Sequence, residues 1–218
     1  TSDQKVILNG ANKEIFNFGS CNYENNTVFK IVTHHWSNHK NKGFEIYKYL
    51  DQKLSIKNYK DKIKFSIIGN IPKDYNFVNT ELINPLFEKK LSNALNENHA
   101  YITGSINEPG GNHQNEAINC GLPVLYINSG CMKEYCDGYG LEYNKDDVFE
   151  KINQLIRNHS FYRNKCKNYN LDSNFMCKKY LDLFIELSKN KKFFLNKRKH
   201  PKVNLINKYK YILRKIIH

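Results

Sequence analysis

Ala100-Tyr101-Ile102-Thr103-Gly104-Ser105-Ile106-Asn107-Glu108-Pro109-Gly110-Gly111-Asn112-His113-Gln114-Asn115-Glu116 is the stretch on which the architecture turns. Its first four residues, apolar or β-branched, read as a buried strand. A polar loop with one carboxylate, Glu108, and two glycines follows. A helix then starts near Asn112, runs to about Cys120 and is closed by Gly121. Pro123-Val124-Leu125-Tyr126-Ile127 reads as the next strand. Strand, short loop, helix, short loop and strand within 28 residues make a parallel crossover unit.

The same alternation extends outward in both directions. Val28–Thr33 reads as a strand, and Phe44, Tyr47, Leu50 and Leu54 recur at helical spacing after Gly43. Lys64–Gly69 forms a second strand, Glu81–Ile83 a short third one, and Pro85 opens a helix carrying Leu86, Leu91 and Leu95. Such a pattern predicts an α/β domain: a Rossmann-like, doubly wound parallel sheet with helices on both faces. Folds of this kind bind ligands at the carboxyl ends of their strands. Past residue 145, Val148, Ile152, Leu155 and Ile156, then Tyr180, Leu181, Leu183, Phe184 and Leu187, read as C-terminal helices. Residues 1–187 are therefore expected to form the binding domain. Residues 188–218 are expected to hold a solvated basic connector (189–202) and an amphipathic helix (203–218).

A length of 218 residues suits one domain with a real core plus a tail. The formal charge of +13 is unevenly spread. Residues 187–218 carry eleven Lys and Arg and no acid, leaving 23 basic against 21 acidic residues before them. A nucleic-acid reading would be a reading of the tail alone, and no nucleic-acid module is recognised. Six cysteines without a C-x-x-C pair read as reduced thiols in a cytosolic protein. No run approaches the ~18 consecutive apolar residues that a membrane span needs. There is no secretory signal, and the start at Thr1 fits an excised domain.

The loop–helix segment carries the chemistry. Gly110 and Gly111 let backbone come close to a ligand. The helix start at Asn112 and His113 offers unpaired N–H groups suited to a diphosphate. Glu116 lies one turn beyond Asn112 and faces the same way, within reach of ribose hydroxyls. Glu108, before the glycines, is placed for a sugar beyond the phosphates. The plainer readings stand beside these: two surface acids at a chance spacing, a solvated lysine at Lys42, and His113 as a helix cap.

With seven residues between Glu108 and Glu116, the segment resembles the E-x7-E motif of retaining GT-B glycosyltransferases, the family 4-like group. Other pieces agree in order: Val6–Asn12 with Phe16 resembles the entry to the C-terminal domain. Lys42-Gly43 resembles the loop whose Lys contacts the donor diphosphate, and Ile67-Ile68-Gly69 the glycine-ended second strand. Glu116-Ala117, Cys120–Val124, and Ser129-Gly130 with Glu134 follow the pattern of the next helix, strand and loop. The resemblance covers about residues 5–187 and implies a C-terminal, nucleotide-sugar-binding domain. It implies that Glu108 touches the transferred sugar and acts in catalysis, and that Glu116 holds the ribose. It also implies that Lys42 and the amides of Gly110, Gly111 and Asn112 hold the phosphates, with His113 beside them and Gly69 against the nucleotide. Transfer with retention and without metal or other cofactor is implied too, and no D-x-D pair occurs.

The chain departs from the family in two places. Where the family has an Arg, about five residues before the Lys, this sequence has Ser37, with His39 and Lys40 as the nearby substitutes. The N-terminal, acceptor-binding GT-B domain has no counterpart in 218 residues, so the isolated chain is expected to bind donor without transferring sugar. His34, His35 and His39 lack a Cys or carboxylate at ligand spacing and read as polar loop residues near the donor cleft rather than a metal cluster. For the tail, a helix folding back over the missing domain competes with docking on an anionic membrane surface through residues 189–218. Members of the family work on lipid-linked acceptors in polysaccharide or glycolipid synthesis, so the expected place is the cytoplasm, with a peripheral position at the inner membrane face admitted. The competing function is a non-catalytic, degenerate GT-B module that binds a membrane or a partner.

Overall fold

In a computed structural model, residues 5–24 and 27–197 are described. Six strands form one sheet: β1 (Phe29–His35), β2 (Ile63–Gly69), β3 (Glu81–Ile83), β4 (Ala100–Thr103), β5 (Val124–Tyr126) and β6 (Gly140–Glu142). Every pairing is parallel, and the order is β3-β2-β1-β4-β5-β6. The chain builds outward from β1 in one direction, then returns and builds outward from β4 in the other. The order thus reverses between β1 and β4, where the loops leave for opposite faces and open a crevice.

The helices are α1 (Phe44–Leu54), α2 (Lys57–Lys60), α3 (Glu88–Asn96), α4 (His113–Asn119), α5 (Met132–Cys136), α6 (Val148–Arg157), α7 (His159–Cys166), α8 (Ser173–Lys189) and α9 (Lys191–Lys197), with a 3-10 turn at Lys40–Lys42. Side-chain alternation along the strands sends neighbours to opposite faces. Ile31, Ile67, Ile102 and Leu125 join Phe44, Tyr47 and Leu50 of α1 and Val148, Ile152 and Leu155 of α6 in one core. Val32, Ile68, Tyr101 and Val124 join Leu91 and Leu95 of α3 and Ala117 and Ile118 of α4 in the other. Full burial of each such side chain stabilises by about 1.5–3 kcal/mol, so the apolar residues that β1, β2 and β4 direct to both faces favour a sheet covered on both sides.

Asp51, a buried acid in α1, ties down the approach to β3. It accepts from the backbone N–H of Val78 and Asn79 and from the Thr80 hydroxyl. Burial pushes its carboxyl up, but these three donors and Lys48 outweigh that and hold it below its ordinary value.

Several expectations need correction. The helix after Pro85 begins only at Glu88, because Phe87 is still extended (φ −132°, ψ 153°). β1 runs two residues past Thr33, placing His34 and His35 on the sheet and burying them rather than leaving them in a loop. The stretch expected as a connector is helical over Lys191–Lys197. The amphipathic helix expected over 203–218 lies outside the described residues. β6, α2 and α5 were not foreseen. The chain divides into two compact units, the first ending at Cys177 and the second beginning at Lys178. Among the described residues no helix is long and apolar enough to cross a membrane.

Candidate functional site

A cleft of about 350 Å³ opens at the carboxyl edge of the first unit's sheet, over the ends of β1 and β2 and beside the start of α4. Lys42, Gly69, Gly111, Asn112, His113 and Glu116 line it, as do His34, His35, Trp36 and Ser37 from the end of β1 and beyond. Pro85, Leu86 and Phe87 form its apolar side, with Ile68 and Leu91. At the rim the Trp36 and Phe87 rings meet edge to face, 4.9 Å between centroids, and both are largely exposed.

Two carboxylates are held by two cationic or imidazole partners. Lys42 Nζ donates to Glu108 Oε2 at 2.5 Å, and His34 Nε2 lies 2.7 Å from Glu116 Oε2. The first contact joins residues 66 apart in sequence. Its cause is a close backbone approach between the loops that follow β1 and β4. Gly43 has φ 91°, and a Cβ there would lie 2.4 Å from Gly104 Cα. Only glycine tolerates both that dihedral and that contact. The Ile106 N–H then donates to the Asn41 carbonyl at 2.8 Å, fixing Lys42 opposite Glu108. On its other side the Glu108 carbonyl accepts from the Cys131 N–H at 2.9 Å, and the Asn107 N–H donates to Ser129 Oγ at 2.9 Å.

His34 and Glu116 face each other across the point where the strand order reverses, one at the end of β1 and one in α4 after β4. Tyr101 OH donates to the His34 carbonyl at 3.2 Å and its ring packs against the His34 imidazole, which fixes the histidine. The Nδ1 of His34 is buried without a hydrogen-bond partner.

His35 and His113, which line the cleft, belong to a buried polar network. His35 Nε2 is within hydrogen-bond distance of Tyr47 OH (2.6 Å) and Thr33 Oγ1 (3.1 Å), and Tyr47 OH accepts from the Gly104 N–H. His113 Nε2 lies 3.1 Å from Thr103 Oγ1. Burial, then the neighbouring His113, His34 and Lys42, hold His35 well below the ordinary imidazole value; burial, then His34 and Lys42, do the same to His113. Both rings are neutral at pH 7. Lys42 is the only Lys or Arg among the described residues that line the cleft.

The sequence-derived residues are distributed as follows. Gly69 ends β2 at the cleft with φ 134°; a Cβ there would collide with the His35 carbonyl. Gly110 does not line the cleft: its carbonyl accepts from the Asn9 side chain, and the Asn9 N–H donates to Tyr135 OH, so the segment around Asn9 buttresses the glycine loop from behind. Gly111 does line it, and its carbonyl accepts from Gln114 Nε2 at 2.6 Å. Glu108 touches the cleft through Lys42. Neither candidate substitute for the missing Arg lines the cleft: Lys40 pairs with Asp74 at 3.6 Å, and His39 caps the 3-10 turn through the Asn41 N–H. Among the described residues no group of three or more His, Cys, Asp and Glu could hold a metal ion. Trp36 and Phe87 line the cleft without a sequence signal that marks them, and His34, expected only as a polar loop residue near it, faces Glu116 from the end of β1.

No family model matches the sequence, and no curated protein matches it. Solved structures do. The sucrose-phosphate synthase of Thermosynechococcus elongatus superposes with a TM-score of 0.65 at 14% identity, over 85% of this chain and 53% of that one. HepE of Anabaena, solved in complex with UDP-glucose, gives 0.64 at 15% identity, over 84% and 57%. The isolated C-terminal domain of a group 1 glycosyl transferase (LpcC) from Francisella tularensis gives 0.55 at 16% identity, over 78% and 98%. This chain has the fold of a GT-B C-terminal domain. It spans about half the length of the sucrose-phosphate synthase and of HepE, while the LpcC C-terminal domain is covered nearly end to end.

Proposed function

We propose that this GT-B domain is the donor-binding half of a retaining, metal-independent glycosyltransferase, and that its ligand is a nucleoside diphosphate sugar. The observation that carries the reading is the pair of carboxylates from one loop–helix segment, Glu108 on Lys42 and Glu116 on His34, gathered at the reversal of strand order. A carboxylate accepts hydrogen bonds through up to about four lone-pair sites, so each retains capacity for ligand hydroxyls after its protein contact. Glu116 would take the ribose, and Glu108 the hexose.

Lys42 would meet the diphosphate. As the bond between the anomeric carbon and the phosphate oxygen breaks, negative charge grows on the leaving diphosphate, and a fixed ammonium in a sheltered cleft stabilises it more than water does. Amide groups around Asn112 at the start of α4 would add to that; α4 is only seven residues long, so its dipole is a lesser contribution. The acceptor, and any group that acts on it, would come from a second GT-B domain.

Calorimetry of the full chain with UDP-glucose and GDP-mannose tests the reading. One of them binds with 1:1 stoichiometry, and Lys42→Met weakens it at least about tenfold, the loss expected for one hydrogen bond to a charged group. Absence of binding by both donors and by UDP and GDP overturns the proposal.

A further inference from the structure

In this structure Lys42 and Glu108 satisfy each other. The contact is 2.5 Å, with the carboxylate side chain 8% exposed and the ammonium 24%. The backbone on both sides of Glu108 is held by Cys131 and Ser129, and its side chain is nearly buried, so its carboxylate stays beside Lys42 when the ammonium is taken. Nor is another Lys or Arg at hand among the described residues of the cleft. A diphosphate that takes Lys42 therefore strands a nearly buried carboxylate beside its own negative charge. Leaving a buried charge unpaired is strongly unfavourable, and the repulsion is stronger where water is sparse.

A donor carries its own remedy. Hydroxyl groups of its hexose can donate to the carboxylate that the phosphates have displaced from Lys42. A nucleoside diphosphate without sugar has nothing to offer there. Resting on the donor-site reading above, we propose that the Lys42–Glu108 pair discriminates between donor and spent nucleotide: it opens for a sugar-bearing diphosphate, and after transfer Glu108 reclaims Lys42 and favours release of the bare diphosphate. No covalent bond changes in this step; two anions compete for one ammonium.

The test is calorimetric titration of the full chain with UDP, GDP, UDP-glucose and GDP-mannose, for the wild type, Glu108→Gln, Lys42→Met and the double variant. Gln keeps the shape of Glu108 and removes the competing charge. Glu108→Gln is expected to bind the bare diphosphate about tenfold tighter, a coupling of ordinary size, and to lose much of the wild-type ratio of donor to diphosphate affinity. In the Lys42→Met background the same substitution brings a far smaller gain, since the contested ammonium is gone. Unchanged or weaker diphosphate binding by a folded Glu108→Gln overturns the proposal. Should that variant not fold, the wild type decides: donor must bind tighter than the bare diphosphate of the same nucleoside, and the reverse order overturns the idea. If the wild type binds none of the four ligands, the donor-site reading falls and this inference with it. If donor binds but the diphosphate affinity ignores Glu108, only the discriminator falls.

Discussion

Replacing Glu116 tests whether this carboxylate reads a ribose. Its side chain is 20% exposed and one oxygen is engaged by His34 at 2.7 Å. The rest of its acceptor capacity faces a sheltered site, where a hydrogen bond from a hydroxyl to a charged acceptor contributes about 1.5–3 kcal/mol. That corresponds to roughly 10- to 150-fold in affinity. The wild type should therefore lose that factor on going from a nucleoside diphosphate to its 2′-deoxy or its 3′-deoxy analogue. In Glu116→Ala the natural ligand should bind more weakly by a similar factor, and the deoxy penalty should shrink to about twofold or less, because the partner of that hydroxyl has gone. Glu116→Gln, which keeps an acceptor oxygen but no charge, should fall between. Four titrations by calorimetry complete the cycle. A full deoxy penalty surviving in folded Glu116→Ala would refute the assignment, for it would mean that another group holds the ribose and that Glu116 serves only to satisfy His34.

Two further predictions concern the scaffold. His99 is buried on the side of the sheet remote from the cleft; it accepts from the Lys30 N–H at 2.9 Å. Burial, then His159, Lys30 and Arg163, lower its pKa from 6.5 to about 4. The unfolded chain then binds the proton more readily between those values, so stability is fully present above the unfolded value and declines as pH falls. Linkage gives a loss of about 2 kcal/mol at pH 5 from this residue, with His35, His113 and His159 acting in the same direction. Urea unfolding at pH 7.5, 6 and 5 should show this slope, and His99→Gln should flatten it by about that amount; an unaltered slope would contradict the assignment. Asp51→Ala removes the acceptor of Val78, Asn79 and Thr80 and should cost about 3–5 kcal/mol in the same assay. A cost below about 1 kcal/mol would show that the loop before β3 finds other acceptors.

What the sequence made legible was whatever is local. Glu108 and Glu116 sit within one strand–loop–helix segment, and the place of Glu116, one turn beyond Asn112 and at the cleft, follows from helical periodicity. Adjacent apolar residues in β1, β2 and β4, such as Ile31-Val32 and Ile67-Ile68, announced a sheet buried on both faces. The Lys42–Glu108 contact was not legible, because it depends on β1 lying beside β4 with Ile31 opposite Ala100 and on Gly43 touching Gly104. Nothing in residues 42 and 108 themselves encodes that. The same holds for His34. Its polarity argues for a loop, yet β1 continues because His34 and His35 pair with Ile68 and Gly69 of β2. Short, polar β6 was invisible since Gly140-Leu141-Glu142 has no periodicity of its own and is paired only through β5. Pro85 misled for a related reason: it and Leu86 are spent on the wall of the cleft, and the helix waits until Glu88.

These misses share a direction. Each of the residues whose role escaped the sequence stands where a strand gives way to a loop at the carboxyl edge, and there hydrophobic patterning no longer determines the conformation. Polar side chains at such positions are buried without being core, so they need partners, and long-range pairing alone supplies them. His34 finds Glu116 across the reversal of strand order, and Lys42 finds Glu108 across the contact of two glycines. The Lys42–Glu108 pair is engaged before any ligand arrives, whereas Glu116 keeps acceptor capacity beyond its contact with His34. If the ligand is the sugar-bearing diphosphate proposed above, taking Lys42 would be an exchange of partners, and selectivity would depend on what that ligand returns to Glu108, which a sugar-bearing diphosphate can do better than a bare one.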